Sequence, residues 1–220
     1  IGGNSGIGLA AAKAFAAEGA AVVITGRDPA TLASAAHQIG GDTLALRSDV
    51  SSLDDLSGLY EAVAARHGRI DVLFVNAGIG TFAPVREITP ALWDQVHDIN
   101  LRGAFFAAQK ALPLMSRGSA IVFTGSIGSV LKAPGNTVYA AAKAGAAGFA
   151  HHPGNPLDCD LLVADECSMV DLSTFNALLR LIEKARVVLI GDPQQLPSID
   201  TGSVFTDLCR STTIQANIAV

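Results

Sequence analysis

No apolar run in the 220 residues approaches the ~18 needed to cross a bilayer as a helix, so a membrane-spanning role is not expected. Cysteine is scarce: Cys159, Cys167 and Cys209 are the only three, an odd number that argues against a disulfide framework and for a reducing, cytoplasmic setting without a secretory leader. Cys159 and Cys167 lie near His151 and His152, but tightly spaced ligand pairs are missing and no metal site is expected. Aromatics make up 5% of the chain, and Trp93, Phe105 and Phe106 are expected to pack in the core or on a dimer face rather than to stack on a ligand. His37, His67 and His97 fall on helix-patterned segments as polar-face residues. The net charge of −5 does not favour a surface that tracks nucleic-acid phosphates. Gly-Lys-Ser and Gly-Lys-Thr occur nowhere, which excludes a P-loop from these residues.

What is present is a hydrophobic half of the composition, enough for a sizeable core, arranged as short apolar runs alternating with helix-patterned segments. The runs 21–25, 43–47, 71–75 and 119–124 read as strands that end at Gly26-Arg27, Ser48-Asp49-Val50, Asn76-Ala77-Gly78 and Gly125-Ser126. Strands separated by helices of ten or more residues argue a doubly wound parallel α/β sheet, in which ligands gather at the carboxyl ends of the strands. Ahead of the first run, Gly2-Gly3-Asn4-Ser5-Gly6-Ile7-Gly8 leads into an alanine-rich helix from Leu9 to Ala16. A glycine turn opening a helix lets a pyrophosphate approach the free N–H groups of the helix start.

Tyr139-Ala-Ala-Ala-Lys143, with Ser126 upstream, is the pattern richest in chemistry. Positions four apart share a helix face, so Lys143 stands one turn from Tyr139, and a cation beside a phenolate brings a phenol towards useful general-base chemistry. Ser126 comes from a strand end as a hydroxyl donor.

These pieces, taken in order, resemble the short-chain dehydrogenases/reductases from Ile1 to about Ala150: the turn Gly2-x-x-x-Gly6-x-Gly8, Asp49-Val50, Asn76-Ala77-Gly78, Asn100, Ser126 and Tyr139-x-x-x-Lys143. The resemblance implies a Rossmann-like fold and a nicotinamide cofactor bound by Gly2, Asn4, Ser5, Gly6, Ile7, Gly8, Arg27, Asp49, Val50 and the Asn76–Gly78 stretch, with Asp49 against the adenine. It further implies Tyr139 as catalytic acid/base, Lys143 lowering its pKa and binding the nicotinamide ribose, Ser126 holding the substrate oxygen and Asn100 ordering a water relay. A small carbonyl compound or secondary alcohol would be the substrate, and a homo-oligomer is allowed. Arg27 precedes Asp28 at the end of the first strand-like run, which favours the 2′-phosphate of NADP over the 2′-hydroxyl of NAD, with NAD still possible.

Past Ala150 the composition changes. Residues 1–150 carry 11 basic and 11 acidic side chains and no cysteine, whereas 151–220 carry 4 and 9 and all three cysteines, so the whole net charge belongs to the second segment. A seam is expected at His151-His152-Pro153-Gly154-Asn155-Pro156. Beyond it, strand 160–164 delivers Asp165-Glu166, a helix follows over about 169–184, and strand 186–190 leads to Asp192 and Gln195. The stretch from about 155 to 209 resembles the second and third ATPase motifs of RecD-type superfamily-one DNA helicases. That resemblance implies Asp165 on Mg²⁺, Glu166 on an attacking water and Gln195 on a γ-phosphate. Without a P-loop, an acidic strand end facing water is the expected state of Asp165-Glu166, and nucleic acid is not an expected partner.

Ile1 stands where the dehydrogenase family has threonine, and no apolar strand lies ahead of the glycine turn. Strands 21–25 and 71–75 are therefore each expected to leave a pairing edge open inside the sheet. Strands 160–164 and 186–190, joined by a helical crossover, are expected to dock beside strand 119–124 and extend the same sheet. Two alternatives stand beside the oxidoreductase reading: a non-catalytic chimera that binds dinucleotide weakly or not at all, and an ATPase-related fragment.

Overall fold

A computed structural model describes residues 1–129, 134–150, 161–164 and 186–189. The chain divides into two compact units, Ile1–Phe149 and Ala150–Val220.

In the first unit the glycine turn passes into helix α1 (Gly6–Ala17). Next come β1 (Val23–Gly26), α2 (Pro29–Ile39), β2 (Leu44–Arg47), α3 (Leu53–His67) and β3 (Val72–Val75). Helix α4 (Pro90–His97) then runs through a π-helical segment, Asp98–Gly103, into α5 (Ala104–Ala111). The unit closes with β4 (Ala120–Phe123) and α6 (Thr137–Ala147). Helix α1 starts three residues before the expected Leu9 because Gly6 and Gly8 already belong to its first turn.

Local chemistry sets most helix starts. Asp28, Ser52 and Thr89 hold extended backbone and accept from the N–H three residues on, capping α2, α3 and α4. Gly68, left-handed at φ 72°, closes α3.

β1 pairs in parallel with β2, Gly26 opposite Arg47, and β3 with β4, Val75 opposite Phe123. Val23 packs against the α3–α5 cluster of Leu56, Leu59, Ala107 and Ala111, whereas the next residue, Ile24, packs with Ala12 and Leu32 of α1 and α2. Successive strand side chains point to opposite faces, so helices cover both sides of the sheet, as a doubly wound fold requires. Tyr60 ties the α3–α5 face together by donating its hydroxyl to the Ala107 carbonyl at 2.6 Å, and burial pushes its phenol up. Trp93 is partly exposed and stacks on His97 at 4.1 Å between ring centroids.

Among the described residues, β1 and β3 each pair with one strand only. Between them sit Ile1–Gly3. The Ile1 amine donates to the Phe74 carbonyl at 2.9 Å, the Ile1 carbonyl accepts from the Asn76 and Ala77 N–H groups, and the Gly3 N–H donates to the Thr25 carbonyl at 3.0 Å. Below this three-residue bridge an apolar cavity of about 440 Å³ is lined by Val23, Ile24, Leu73 and Phe74.

In the second unit β5 (Leu161–Ala164) and β6 (Arg186–Leu189) pair in parallel, Leu161 opposite Arg186. Asp165, Glu166, Asp192, Gln195, the paired histidines, the three cysteines and the expected helix 169–184 lie outside the described residues, as does the basis for docking this pair beside strand 119–124. Among the described residues, no helix is long and apolar enough to cross a membrane, and no cluster of metal-binding side chains occurs.

Candidate active site

The carboxyl ends of β1, β2 and β3 enclose a polar cavity of about 320 Å³ lined by Gly2, Asn4, Ser5, Arg27, Asp28, Asp49, Val50 and Asn76–Gly78, so most of the expected cofactor contacts share one space. Gly8 lies behind it. A methyl group there would come 2.0 Å from the Gly2 carbonyl oxygen, so only glycine lets the helix start close on the turn, and Gly2 itself needs its φ of 75°. Ile7 points out, 64% exposed.

The start of α1 is unlike those of α2, α3 and α4. Ser5 occupies the cap position in extended backbone yet makes no side-chain cap, and the first turn carries no acidic residue. Ser5 lines the cavity, so the positive end of the helix dipole stands at its wall without a side-chain anion. That is the electrostatic setting a pyrophosphate needs.

Arg27 and Asp28 separate in role. Hydrogen bonds from the Thr31 backbone and hydroxyl hold the Asp28 carboxyl below its ordinary range, and its Oδ1 accepts from the Thr31 N–H at 2.7 Å as the α2 cap. Among the described residues Arg27 makes no ion pair with it. The sequence offered no second basic group near Arg27, but the structure brings one in: Arg47 lies opposite Gly26, and both guanidiniums act on Asp49. Partial burial opposes ionisation of Asp49. Hydrogen bonds from the Ser51 hydroxyl at 2.6 Å and N–H at 2.9 Å, with the two arginines, outweigh it and keep the carboxyl below its ordinary range.

The reactive end is built from three elements. Lys143 on α6 is 5% exposed; its Nζ donates to the Thr124 carbonyl at 2.8 Å and stands 5.9 Å from the centre of the Tyr139 ring. Burial lowers the Lys143 pKa. The Thr124 hydroxyl donates to Asn76 Oδ1 at 2.9 Å, and Asn76 Nδ2 donates to the Gly2 carbonyl at 3.1 Å, so a hydrogen-bonded line runs from the glycine turn to the lysine. Ser126 follows β4, and its Oγ accepts from the Gly128 N–H at 3.1 Å, which leaves its proton free to donate.

Asn100 lies in the π-helical segment, 1% exposed. Its Oδ1 accepts from the Ile79 N–H at 3.2 Å, while Nδ2 donates to the Ile79 carbonyl at 2.9 Å and the Val96 carbonyl at 3.0 Å. Both amide protons are used, so the side chain braces the loop after β3. Gly78 fits this loop closely: a methyl on it would meet Asn100 Oδ1 at 2.7 Å and approach Lys143 Nζ at 3.6 Å.

Thr124 and Asn136 were not legible as site residues in the sequence. A hydroxyl ending an apolar run before Ser126 is the only signal Thr124 gives, and Asn136 belongs to none of the motifs.

Residues 1–158 match the family model described as short chain dehydrogenase. The chain belongs to the short-chain dehydrogenase family. A second model, described as AAA domain, matches residues 121–218. The chain is 44% identical over 145 residues to the oxidoreductase asL5 of Sarocladium schorii, covering 65% of this chain and 58% of that protein. It is 35% identical over 157 residues to the tetrahydroxynaphthalene reductase PfmaG of Pestalotiopsis fici, covering 68% and 56%. The chain thus spans somewhat more than half the length of these curated relatives. Among solved structures, a metagenomic short-chain oxidoreductase in complex with NADP superposes with a TM-score of 0.72 at 26% identity, covering 90% of this chain and 95% of that one. The Rossmann-like α/β fold of these dehydrogenases is therefore the fold of the first unit.

Proposed function

We propose that the chain binds NADP(H) and catalyses reversible reduction of a small-molecule carbonyl to a secondary alcohol. The observation that carries this reading is the buried Lys143 ammonium, anchored on the Thr124 carbonyl and standing beside the Tyr139 ring.

The residues fit the cofactor. The uncapped start of α1 offers free N–H groups to a pyrophosphate, Asp49 and Val50 offer a wall to the adenine, and Arg27, released from Asp28, offers a guanidinium to a 2′-phosphate. When bound, the nicotinamide supplies or accepts the hydride. Ser126, whose oxygen already accepts from the Gly128 N–H, donates its proton to the substrate oxygen and fixes it. Tyr139 gives that oxygen its proton in reduction and removes it in oxidation, and the Lys143 charge favours the phenolate left behind. Lys143 also reaches towards the ribose side of the site next to Gly78. Asn100 holds the 78–79 loop in place, and the family resemblance assigns it the ordering of a proton-carrying water. The NADP complex of the metagenomic structure and the name of the Pestalotiopsis reductase support the cofactor and the carbonyl substrate class.

The test is NADPH oxidation at 340 nm with a panel of quinones, diketones and aldehydes. Tyr139→Phe keeps the ring and removes the proton, and turnover that survives it would sink the reading. For the second unit, the AAA-domain match is compatible with a helicase-like segment, but the 220 residues hold no Gly-Lys-Ser or Gly-Lys-Thr, and we propose no ATPase for them.

A further inference from the structure

Two helices begin at the site, α1 and α6, and both carry a cap-competent residue that does not cap. For α1 the reason is the open anion site. For α6 it is different. Asn136 occupies the cap position with φ −92° and ψ 6°, whereas the capping residues Asp28, Ser52 and Thr89 have ψ between 116° and 157°. The side chain is turned away from the helix end and buried, with 5% of the residue exposed, and its Oδ1 has no hydrogen-bond partner among the described residues. A buried amide oxygen left unpaired costs stability, and so does a missing cap. One rotation of the backbone would remove both costs.

What the side chain does instead is visible from Gly128. A methyl group on Gly128 would lie 2.8 Å from Asn136 Nδ2, 3.2 Å from Ser126 Oγ and 3.4 Å from Tyr139 Cε1. The turn that follows Ser126, the side chain of Asn136 and the ring of Tyr139 therefore converge on one point with no space between them. Ser126 is fastened to that turn twice, through the Gly128 N–H on its Oγ and the Ser129 N–H on its carbonyl. Asn136 is rooted in the helix that carries Tyr139, one turn ahead of it. Its amide is thus a spacer between the segment bearing the substrate-oxygen donor and the helix bearing the acid/base. Local rules broken without compensating stability are characteristic of sites held for function.

We propose that Asn136 is a positioning residue: its buried amide, seated against Gly128, sets the separation of Ser126 and Tyr139. This rests on the reading of Tyr139 as the acid/base. Gly128 is the counterpart, since any side chain there displaces the amide first. Catalysis is sensitive to such displacement because both groups must meet the same substrate oxygen, and a shift of about 1 Å is worth about a hundred-fold in rate.

The experiment uses the full chain with NADPH and a small 1,2-diketone, comparing wild type, Gly128→Ala, Asn136→Ala, Asn136→Ser and the double variant Gly128→Ala/Asn136→Ala. Gly128→Ala is expected to lower kcat about ten-fold or more and to shift its pH profile, with the KM for NADPH unchanged, because the cofactor's adenosine half sits on other elements. Asn136→Ala alone lowers kcat less. In the double variant the shortened side chain makes room for the new methyl, so kcat is no lower than in Asn136→Ala and the pH profile returns towards wild type. Losses that simply multiply, or a Gly128→Ala enzyme with wild-type kcat and pH profile, overturn the proposal. Should Gly128→Ala fail to fold, Asn136→Ser, small and able to cap, is expected to fold at least as stably as wild type with a lower kcat, and an unchanged kcat overturns the idea. A wild-type chain that binds NADPH but reduces nothing would refute the proposed activity alone. The ¹³Cζ signal of Tyr139, one of only two tyrosines, then still decides the positioning: displaced by Gly128→Ala and restored in the double variant it stands, and unmoved it falls.

Discussion

The Lys143 ammonium is held by the main-chain oxygen of Thr124, and the hydroxyl of the same threonine holds Asn76. One residue at the end of β4 thereby joins the lysine of the reactive pair to the side chain that clamps the glycine turn.

Thr124→Val keeps the carbonyl that anchors Lys143 and removes the hydroxyl, leaving Asn76 Oδ1 without its donor. A loss of stability of about 1–2 kcal/mol is expected, and NADPH affinity should fall more than the acid/base pH profile changes. Denaturant melts and fluorescence titration check this; unchanged affinity would detach Asn76 from the cofactor site.

Lys143→Met should abolish turnover and yet stabilise the fold near neutrality, because it removes a charge that burial disfavours. The sign follows from the lowered folded pKa. Between that value and about 10.4 the unfolded chain binds more protons, so wild-type stability rises with pH across this window. In Lys143→Met that rise should be absent from Tm measured against pH.

Arg27→Ala should remove a preference for NADPH over NADH while leaving NADH affinity nearly untouched. Asp28→Ala should instead lower stability through the lost α2 cap, with the cofactor preference retained. Titration of each variant with both cofactors separates the two, and a preference that disappears only with Asp28→Ala would reassign the role.

Asp49 provides a second pH signature. Its carboxyl is held below the ordinary range in the folded chain, so its contribution is complete above about pH 4, the unfolded value, and is lost as pH falls through the folded value. Asp49→Asn should flatten that part of the acid limb and weaken NADPH binding; an unaltered acid limb would show the Ser51 and arginine contacts to be energetically idle.

The alternation of apolar runs with helix-patterned segments made the parallel α/β architecture readable, because strands buried on both faces are nearly continuous runs of Val, Ile, Leu and Phe. Boundaries moved by one to three residues, as at α1, where glycines that look like turn are already helix. The site residues drawn from motifs, Arg27, Asp49, Asn76 and the Tyr139–Lys143 pair, do come to the strand ends and the helix beside them. Residues acting through geometry stayed hidden. Thr124 matters through a carbonyl that every residue possesses, Arg47 matters through a cross-strand neighbour, and Asn136 is noticed only because it occupies the cap position of α6 in the structure and makes no cap.

Ile1–Gly3 bridge β1 and β3 and run directly into the glycine turn that closes the polar cavity. Ligand and sheet are then partners in a single mass-action balance: an occupant of that cavity binds only when the turn holds the ends of β1 and β3 in place. Each ten-fold excess of NADP(H) over its dissociation constant should add about 1.4 kcal/mol to the sheet's resistance to opening. The cofactor is in that sense a reversible tie between the ends of β1 and β3, and slowed hydrogen exchange at the Gly3, Asn76 and Ala77 N–H groups should record its concentration.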